Sequence, residues 1–191
     1  SSVAHGQTTV GSVRKNGKTE ANSRIVREPM TMDLINSHLK GGVGVGSIPI
    51  NDKNLCKFGA LDIDTYPIDH VALVKKCRRF KLPLVVCRSK SGGAHLFLFT
   101  DDWISATDMR DHLMEFAAVL GHGGCEVFPK QNKILAERGD VGNFINLPYF
   151  QSDNTLRYAI NEKGEELTLE RFLNLVDRTK TNLEDLRKLE F

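Results

Sequence analysis

Long apolar runs are missing from this 191-residue chain. Nothing approaches the roughly 18 consecutive apolar residues of a membrane-spanning helix. The opening Ser1-Ser2-Val3-Ala4-His5-Gly6 has neither the basic nor the apolar region of a secretory signal. A cytosolic protein that makes no use of a membrane is expected. The CxxC pair is also absent: Cys56, Cys77, Cys87 and Cys125 stand 21, 10 and 38 positions apart, which rules out a zinc knuckle and argues against a disulfide framework. His122-Gly-Gly-Cys125, with His112 upstream, has ligand-like spacing but falls short of four ligands, so it reads as a Gly-rich turn carrying a buried thiol. Aromatics make up only 7%, with one Trp and three Tyr, and no broad base-stacking surface is evident. Of the aromatics present, Phe58, Tyr66, Phe128 and Tyr149 are the candidates to stack a base.

What is present is an ordinary globular composition, 40% hydrophobic and 26% charged, enough to bury a core in one domain with an appended subdomain. The start without Met and the helix-like end at Leu186 to Phe191 are expected of a piece of a longer polypeptide. A net charge of +2 conceals an uneven distribution. Residues 70–100 hold seven cations (Lys75, Lys76, Arg78, Arg79, Lys81, Arg88, Lys90) and no acid, whereas residues 162–191 hold eight acids and six cations. The plain reading of Lys75 to Lys81 is the solvated last turn of a helix, where cations oppose the macrodipole; its second use is as a surface tracking a nucleic-acid backbone.

Asn16-Gly17 between Val10/Val13 and Ile25/Val26 suits a hairpin. Thr31 caps a short helix to Leu39, stopped by Gly41-Gly42, and Gly-Val-Gly-Val-Gly runs into Ser47–Ile50 as a glycine-punctuated strand. Lys57–Asp64 is the clearest strand. The run Ile68, Val71, Leu73, Val74, Cys77, Phe80 has helical spacing, and Leu82–Cys87 and His95–Thr100 form a hairpin around the polar loop Arg88–Ala94. Ser105 caps a helix with Met109, Leu113, Phe116 and Leu120 on its buried stripe. Strands follow at Glu126–Phe128 and Asn143–Leu147, then helices opened by Thr168 and by a Thr181/Glu184 capping box. This order predicts an α+β fold with a mainly antiparallel sheet.

Asp62 and Asp64 are two apart in a strand, so both carboxylates share one face while Leu61 and Ile63 take the other. Adjacent like charges repel, and a hard divalent cation between them resolves the repulsion. The alternative is an exposed polar strand end. The loop adds a second element: Ser89, Ser91, Gly92 and Gly93 free the backbone to present amides to an anion, with Arg88, Lys90 and His95 to supply donors. A flexible hairpin loop is the competing reading.

Asp62-Ile-Asp64, Ser91-Gly-Gly-Ala-His95-Leu, Glu126-Val-Phe-Pro-Lys-Gln131 and Gly142-Asn-Phe-Ile-Asn-Leu-Pro148, in that order, resemble the motifs of the archaeo-eukaryotic primase superfamily. The resemblance spans about Gly42 to Pro148 and is closest to the primase-polymerase branch of phages, plasmids and bacterial defence or CRISPR-associated loci. It implies an RRM-like catalytic sheet over residues 51–160, a smaller N-terminal α/β module over 1–50, and a C-terminal helical segment over 161–191. It further implies metal binding by Asp62, Asp64 and a third carboxylate, assigned to Glu126 with Asp101 and Asp102 as rivals. His95 and Ser91 would contact the triphosphate, and Arg88, Lys90 and Lys130 phosphate or template. Asn143 and Asn146 either line the nucleotide site or satisfy buried backbone. The implied activity is metal-dependent nucleotidyl transfer on a DNA template and primer from dNTPs or NTPs, with two Mg²⁺ or Mn²⁺ ions. The implied setting is a prokaryotic cell or its mobile elements, alongside further helicase, zinc or Cas-type domains.

Two other readings use the same residues: a DxD glycosyltransferase, which also binds Mn²⁺ through paired carboxylates, and a nucleic-acid-binding replication module without catalysis.

Overall fold

A computed structural model describes residues 2–13 and 19–191. Two four-stranded antiparallel sheets organise them. The second sheet contains the unit β4 (Leu55–Ile63), α2 (His70–Arg79), β5 (Leu84–Arg88), β6 (Ala94–Ser105), α3 (Ala106–Leu120) and β7 (Glu126–Phe128), with spatial order β5-β6-β4-β7. This βαββαβ unit is the RRM-like arrangement expected, with α2 and α3 on one face.

The pleat sorts the residues of β4. Leu61 and Ile63 are fully buried with Leu96, Leu98, Leu84 and Val86 beneath Leu73 and Cys77 of α2 and Met109, Leu113, Phe116 and Leu120 of α3. Each such side chain contributes roughly 1.5–3 kcal/mol by leaving water. Ala60, Val85, Phe97 and Phe128 face the other way, into a second cluster with Ile145, Tyr149, Ala159, Leu167 and Phe172. An irregularity between Cys56 and Phe58 lets these two residues, of equal parity, serve opposite faces. α3 has the expected ends: Ser105 Oγ accepts from the Asp108 amide at 2.9 Å, and Gly121 closes it in the left-handed region at φ 82°.

The first sheet has the order β2 (Thr19–Val26), β1 (His5–Val13), β3 (Gly44–Ser47), β8 (Ile145–Asn146). β1 and β2 pair antiparallel from His5/Val26 to Val13/Thr19, while the Asn16-Gly17 turn lies outside the described residues. The strand expected over 143–147 is reduced to two residues and pairs with β3, Gly46 against Asn146. The sheet that begins with β1 to β3 thus draws its fourth strand from beyond residue 140, across the expected boundary at residue 50. The glycine punctuation of β3 has a steric cause: a Cβ on Gly46 would enter the Phe144 ring, and one on Gly44 would lie 2.9 Å from the Thr8 carbonyl.

α1 (Met32–Leu39) is capped by Thr31 as expected. Its His38, 1% exposed, accepts from the Val45 amide at Nδ1 (3.0 Å) and donates from Nε2 to the Pro148 carbonyl (2.8 Å). That pairing requires the neutral ring. α4 (Leu169–Thr179) is capped by Thr168, but α5 (Leu183–Arg187) is capped by Asn182, whose Oδ1 accepts from Asp185 N at 2.9 Å. The expected Thr181/Glu184 box does not form, because Thr181 is engaged in a parallel bridge to Thr100 and its carbonyl accepts from Asp101. No described helix is long and apolar enough to cross a membrane.

Two outcomes follow from this packing. Gly46→Ala should lower the denaturation midpoint by the equivalent of about 1–3 kcal/mol, since Phe144 must leave the sheet; an unchanged midpoint would contradict the close approach. Burial, with a smaller contribution from the nearby Arg157 charge, lowers the His38 pKa below 6.5. The unfolded chain therefore binds a proton that the folded chain refuses, and stability full above pH 6.5 declines below it. Melting temperatures from pH 7.5 to 5 should fall more steeply in wild type than in His38→Gln.

Candidate active site

The register of β4 builds the site. Asp62 lies opposite His95 on β6 and opposite Glu126 on β7, while His95 lies opposite Cys87 on β5. One row therefore crosses all four strands on the face away from α2 and α3, at a spacing of roughly 4.8 Å per strand. His95 Nε2 stands 3.3 Å from Asp62 Oδ1, with both side chains mostly buried. That approach is not aligned as a hydrogen bond, and Asp62 Oδ1 is a buried oxygen without a hydrogen-bond partner. Asp64 follows the end of β4, exposed at the rim.

The Ser-Gly-Gly loop folds back onto this rim. A Cβ on Gly93 would lie 2.5 Å from the Ile63 carbonyl, 3.0 Å from Asp64 Oδ1 and 3.2 Å from Ser89 Oγ, so only glycine lets the loop approach the carboxylates this closely. Gly92 adopts φ 92°, a left-handed conformation. The Ser89 amide donates to Gly93 O at 2.9 Å and the Gly92 amide to Ser89 O at 3.1 Å, so both are spent on the turn itself. The Tyr66 hydroxyl lies 2.9 Å from Ser91 Oγ and 3.3 Å from Asp64 Oδ1, linking the loop to the second carboxylate.

The other expected residues separate into groups. Lys90 and Ser91 are exposed on the loop. The Arg88 guanidinium is turned underneath, donating to Ser89 O (3.2 Å) and Leu156 O (3.0 Å), where it holds the loop to the chain after β8. Glu126 accepts from Lys130 Nζ at 2.8 Å, and that ammonium also lies 5.2 Å from the Phe128 ring centre. Asn143 Oδ1 accepts from Gln131 Nε2 at 2.6 Å, and Asn146 Oδ1 from Thr8 Oγ1 at 3.3 Å. Among the described residues neither amide bonds to buried backbone, and Asn143 is exposed. Asp101 and Asp102 sit on the far part of β6, next to Thr181, and do not reach the row. The basic turn of α2 lies behind the sheet: Arg78 pairs with Glu162, Lys76 donates to Leu120 O at 3.1 Å, and Arg79 lies over Phe80. The solvated-helix reading of this block is the one the packing supports. A groove of about 530 Å³ between α2, β5 and α4 contains none of Asp62, Asp64 and Glu126.

Of the aromatics, Tyr149 is 1% exposed with its hydroxyl on Leu167 O (2.7 Å), and Phe58 stacks on Phe99; Tyr66, 56% exposed, is the one standing at the rim. Cys125 is half-buried rather than buried as expected, and its thiol is pushed up to about 11 by burial first and then by the charges of Asp62 and Glu126.

Two contributors had no motif to announce them. His70, the first residue of α2, donates from Nε2 to Gly93 O at 2.8 Å and pins the loop. Arg157 is 7% exposed and carries a buried Nη1 without a partner. Its only sequence signal is a cation interrupting the apolar run around Leu156, Tyr158, Ala159 and Ile160.

Residues 3–164 match the model of the archaeo-eukaryotic primase domain of TOTE conflict systems. The chain belongs to this family. Among solved structures, the archaeo-eukaryotic primase domain of the cyanophage S-2L primase-polymerase is similar, with a TM-score of 0.44 and 13% identity over 92% of this chain and 89% of that one. No curated protein matches. Membership of a primase family sets the glycosyltransferase reading aside.

Among the described residues no group of three or more His, Cys, Asp or Glu side chains is gathered as a metal cage. The donor set nevertheless fits Mg²⁺ or Mn²⁺, which are commonly held by one or two carboxylates with substrate phosphates completing the shell. Asp62 Oδ1, which has no hydrogen-bond partner, is the atom such an ion would satisfy. Gly93→Ala should lower the denaturation midpoint by the equivalent of about 1–3 kcal/mol through the clash with Ile63 O. A midpoint equal to wild type would show that the loop does not lie against β4.

Proposed function

We propose that this primase-family domain is a metal-dependent nucleotidyltransferase that extends or starts chains on a DNA template from dNTPs or NTPs. The observation carrying the reading is the row Glu126–Asp62–His95 beneath the glycine loop, with Asp62 Oδ1 buried and without a hydrogen-bond partner. Asp62 and Asp64 would hold the cations, and Glu126 would join them on release from Lys130. When bound, two Mg²⁺ or Mn²⁺ ions would acidify the attacking 3′-hydroxyl and neutralise charge on the departing pyrophosphate.

The protein's own groups do the positioning. His95 lies beside Asp62 with a ring nitrogen available to a phosphoryl oxygen, and Ser91, tied to Tyr66, presents a hydroxyl at the loop tip. The amides of Lys90 and Ser91, between the two already spent, would face the phosphates, and the Lys90 ammonium supplies charge. Leu61, Ile63 and Leu96, buried behind the row, keep β4 and β6 from shifting when charge develops in front of them.

A primed-template extension assay with Mn²⁺ or Mg²⁺ tests the reading. Asp62→Asn/Asp64→Asn should lose at least about 10³-fold in rate, as removal of metal-holding groups implies. A non-catalytic binding module predicts no extension by either protein, and equal extension by both would reject the assigned carboxylates.

A further inference from the structure

The groove of about 530 Å³ beside β5 takes no part in the carboxylate row. It opens where the two core clusters meet at the edge of the sheet. Val74, Cys77 and Leu84 reach it from the layer beneath α2, and Leu167 and Leu175 from the opposite layer that α4 joins, while Ile160, 7% exposed, lines it and belongs to neither cluster. The floor is aliphatic apart from one thiol. No aromatic ring lines the groove, so a nucleobase has nothing to stack on there.

Its rim is cationic. Arg78, Lys163, Arg171 and Arg178 line the groove against a single acid, Glu162. Glu162 is already paired with Arg78, and the 3.7 Å contact of Arg171 with Glu165 joins two half-exposed side chains, an arrangement that contributes little. Lys163 and Arg178 have no ion-pair partner among the described residues. The sheet edge adds a third feature. Residues 158–160 pair with β5 only as far as Val86, whose carbonyl accepts from the Ile160 amide at 3.0 Å, and the chain then turns through Asn161 to Gly164. Two residues before Val86, the Leu84 amide is spent on Leu82 O at 2.8 Å. The Leu84 carbonyl has the same outward direction as that of Val86 by strand alternation, and lies where the pairing has stopped, an acceptor for the backbone amide of another chain.

We propose that this groove docks an acidic polypeptide segment, with its aliphatic side chains seated between α2 and α4 and its carboxylates on Lys163, Arg171 and Arg178. A chain of that kind matches each feature. Aliphatic groups leave water against Val74, Ile160 and Leu175, carboxylates meet a rim short of acids, and a backbone amide meets Leu84 O. Single-stranded nucleic acid satisfies the rim alone. Because the groove excludes Asp62, Asp64 and Glu126, docking tethers the domain to a partner and leaves the carboxylate row open. The inference does not depend on the nucleotidyltransferase reading.

Selection of a randomised peptide library displayed on phage against the wild-type chain, with counter-selection on Arg171→Glu/Arg178→Glu, tests this. Both positions are exposed, so the variant should melt as wild type does. The recovered peptides should carry Asp or Glu interspersed with Leu, Ile, Val or Met. A labelled peptide of that consensus should bind the double variant about tenfold or more weakly in fluorescence anisotropy. Asn174→Trp, which places a ring in the groove from α4 without changing its charge, should weaken the peptide to a similar degree, and primer extension by either variant should match wild type. No enrichment over the counter-selected pool, a consensus lacking acids or lacking apolar residues, or an affinity unchanged in either variant would overturn the proposal. So would displacement of the peptide by an equal concentration of a single-stranded DNA oligonucleotide, which assigns the rim to phosphate. A wild type that binds the peptide in this groove yet extends no primer would uphold the docking site and reject the polymerase reading.

Discussion

Asp62 is flanked on both sides by antiparallel partners, and the rest of the site depends on that register. Because β4 is an inner strand, its carboxylate meets His95 from β6 and Glu126 from β7 in one row. A shift of one residue would turn Leu61 and Ile63 into the cleft and Asp62 into the core beneath α2 and α3, at a cost no domain of this size could absorb. The apolar face of the sheet is therefore what holds the charged one in place. The same constraint acts on the loop, whose Gly93 must pass the Ile63 carbonyl and Asp64 without a side chain.

The near-neutral total charge resolves into separate surfaces. Asp62 and Glu126 share one row of the sheet, Asp64 follows at its rim, and Arg157 is buried elsewhere, beside the Phe150 ring. The conspicuous basic block of α2 belongs to neither: it is solvated behind the sheet, with Arg78 and Lys76 already engaged.

Much of this was legible from local signals. The Ser105, Thr31 and Thr168 caps and the Gly121 stop are encoded within a few residues, and the structure has them where spacing put them, whereas β4 ends at Ile63 and leaves Asp64 just beyond the expected strand. What was not legible depends on partners distant in sequence. Sequence leaves Asn146 between a nucleotide contact and a framework role; its bond to Thr8 comes from the pairing of β8 with β3, about a hundred residues earlier. Arg88 reads as a contact to phosphate or template, and its hydrogen bond to Leu156 O depends on a stretch of chain almost seventy residues later. Thr181 loses its cap to Asn182 because β6 runs past Thr100 and claims its carbonyl. Arg157 carries no motif at all; only burial without a partner marks it.

The central claim is that Asp62 and Asp64 face a divalent cation beneath the loop. The most direct measurement is the anomalous density of Mn²⁺ in crystals grown with a non-hydrolysable deoxynucleoside triphosphate. The register and the Asp62 oxygen without a hydrogen-bond partner predict a peak bridged by both carboxylates, with the triphosphate running along the loop past His95. A nucleotide bound elsewhere, or a well-ordered nucleotide with no Mn²⁺ between Asp62 and Asp64, would contradict it.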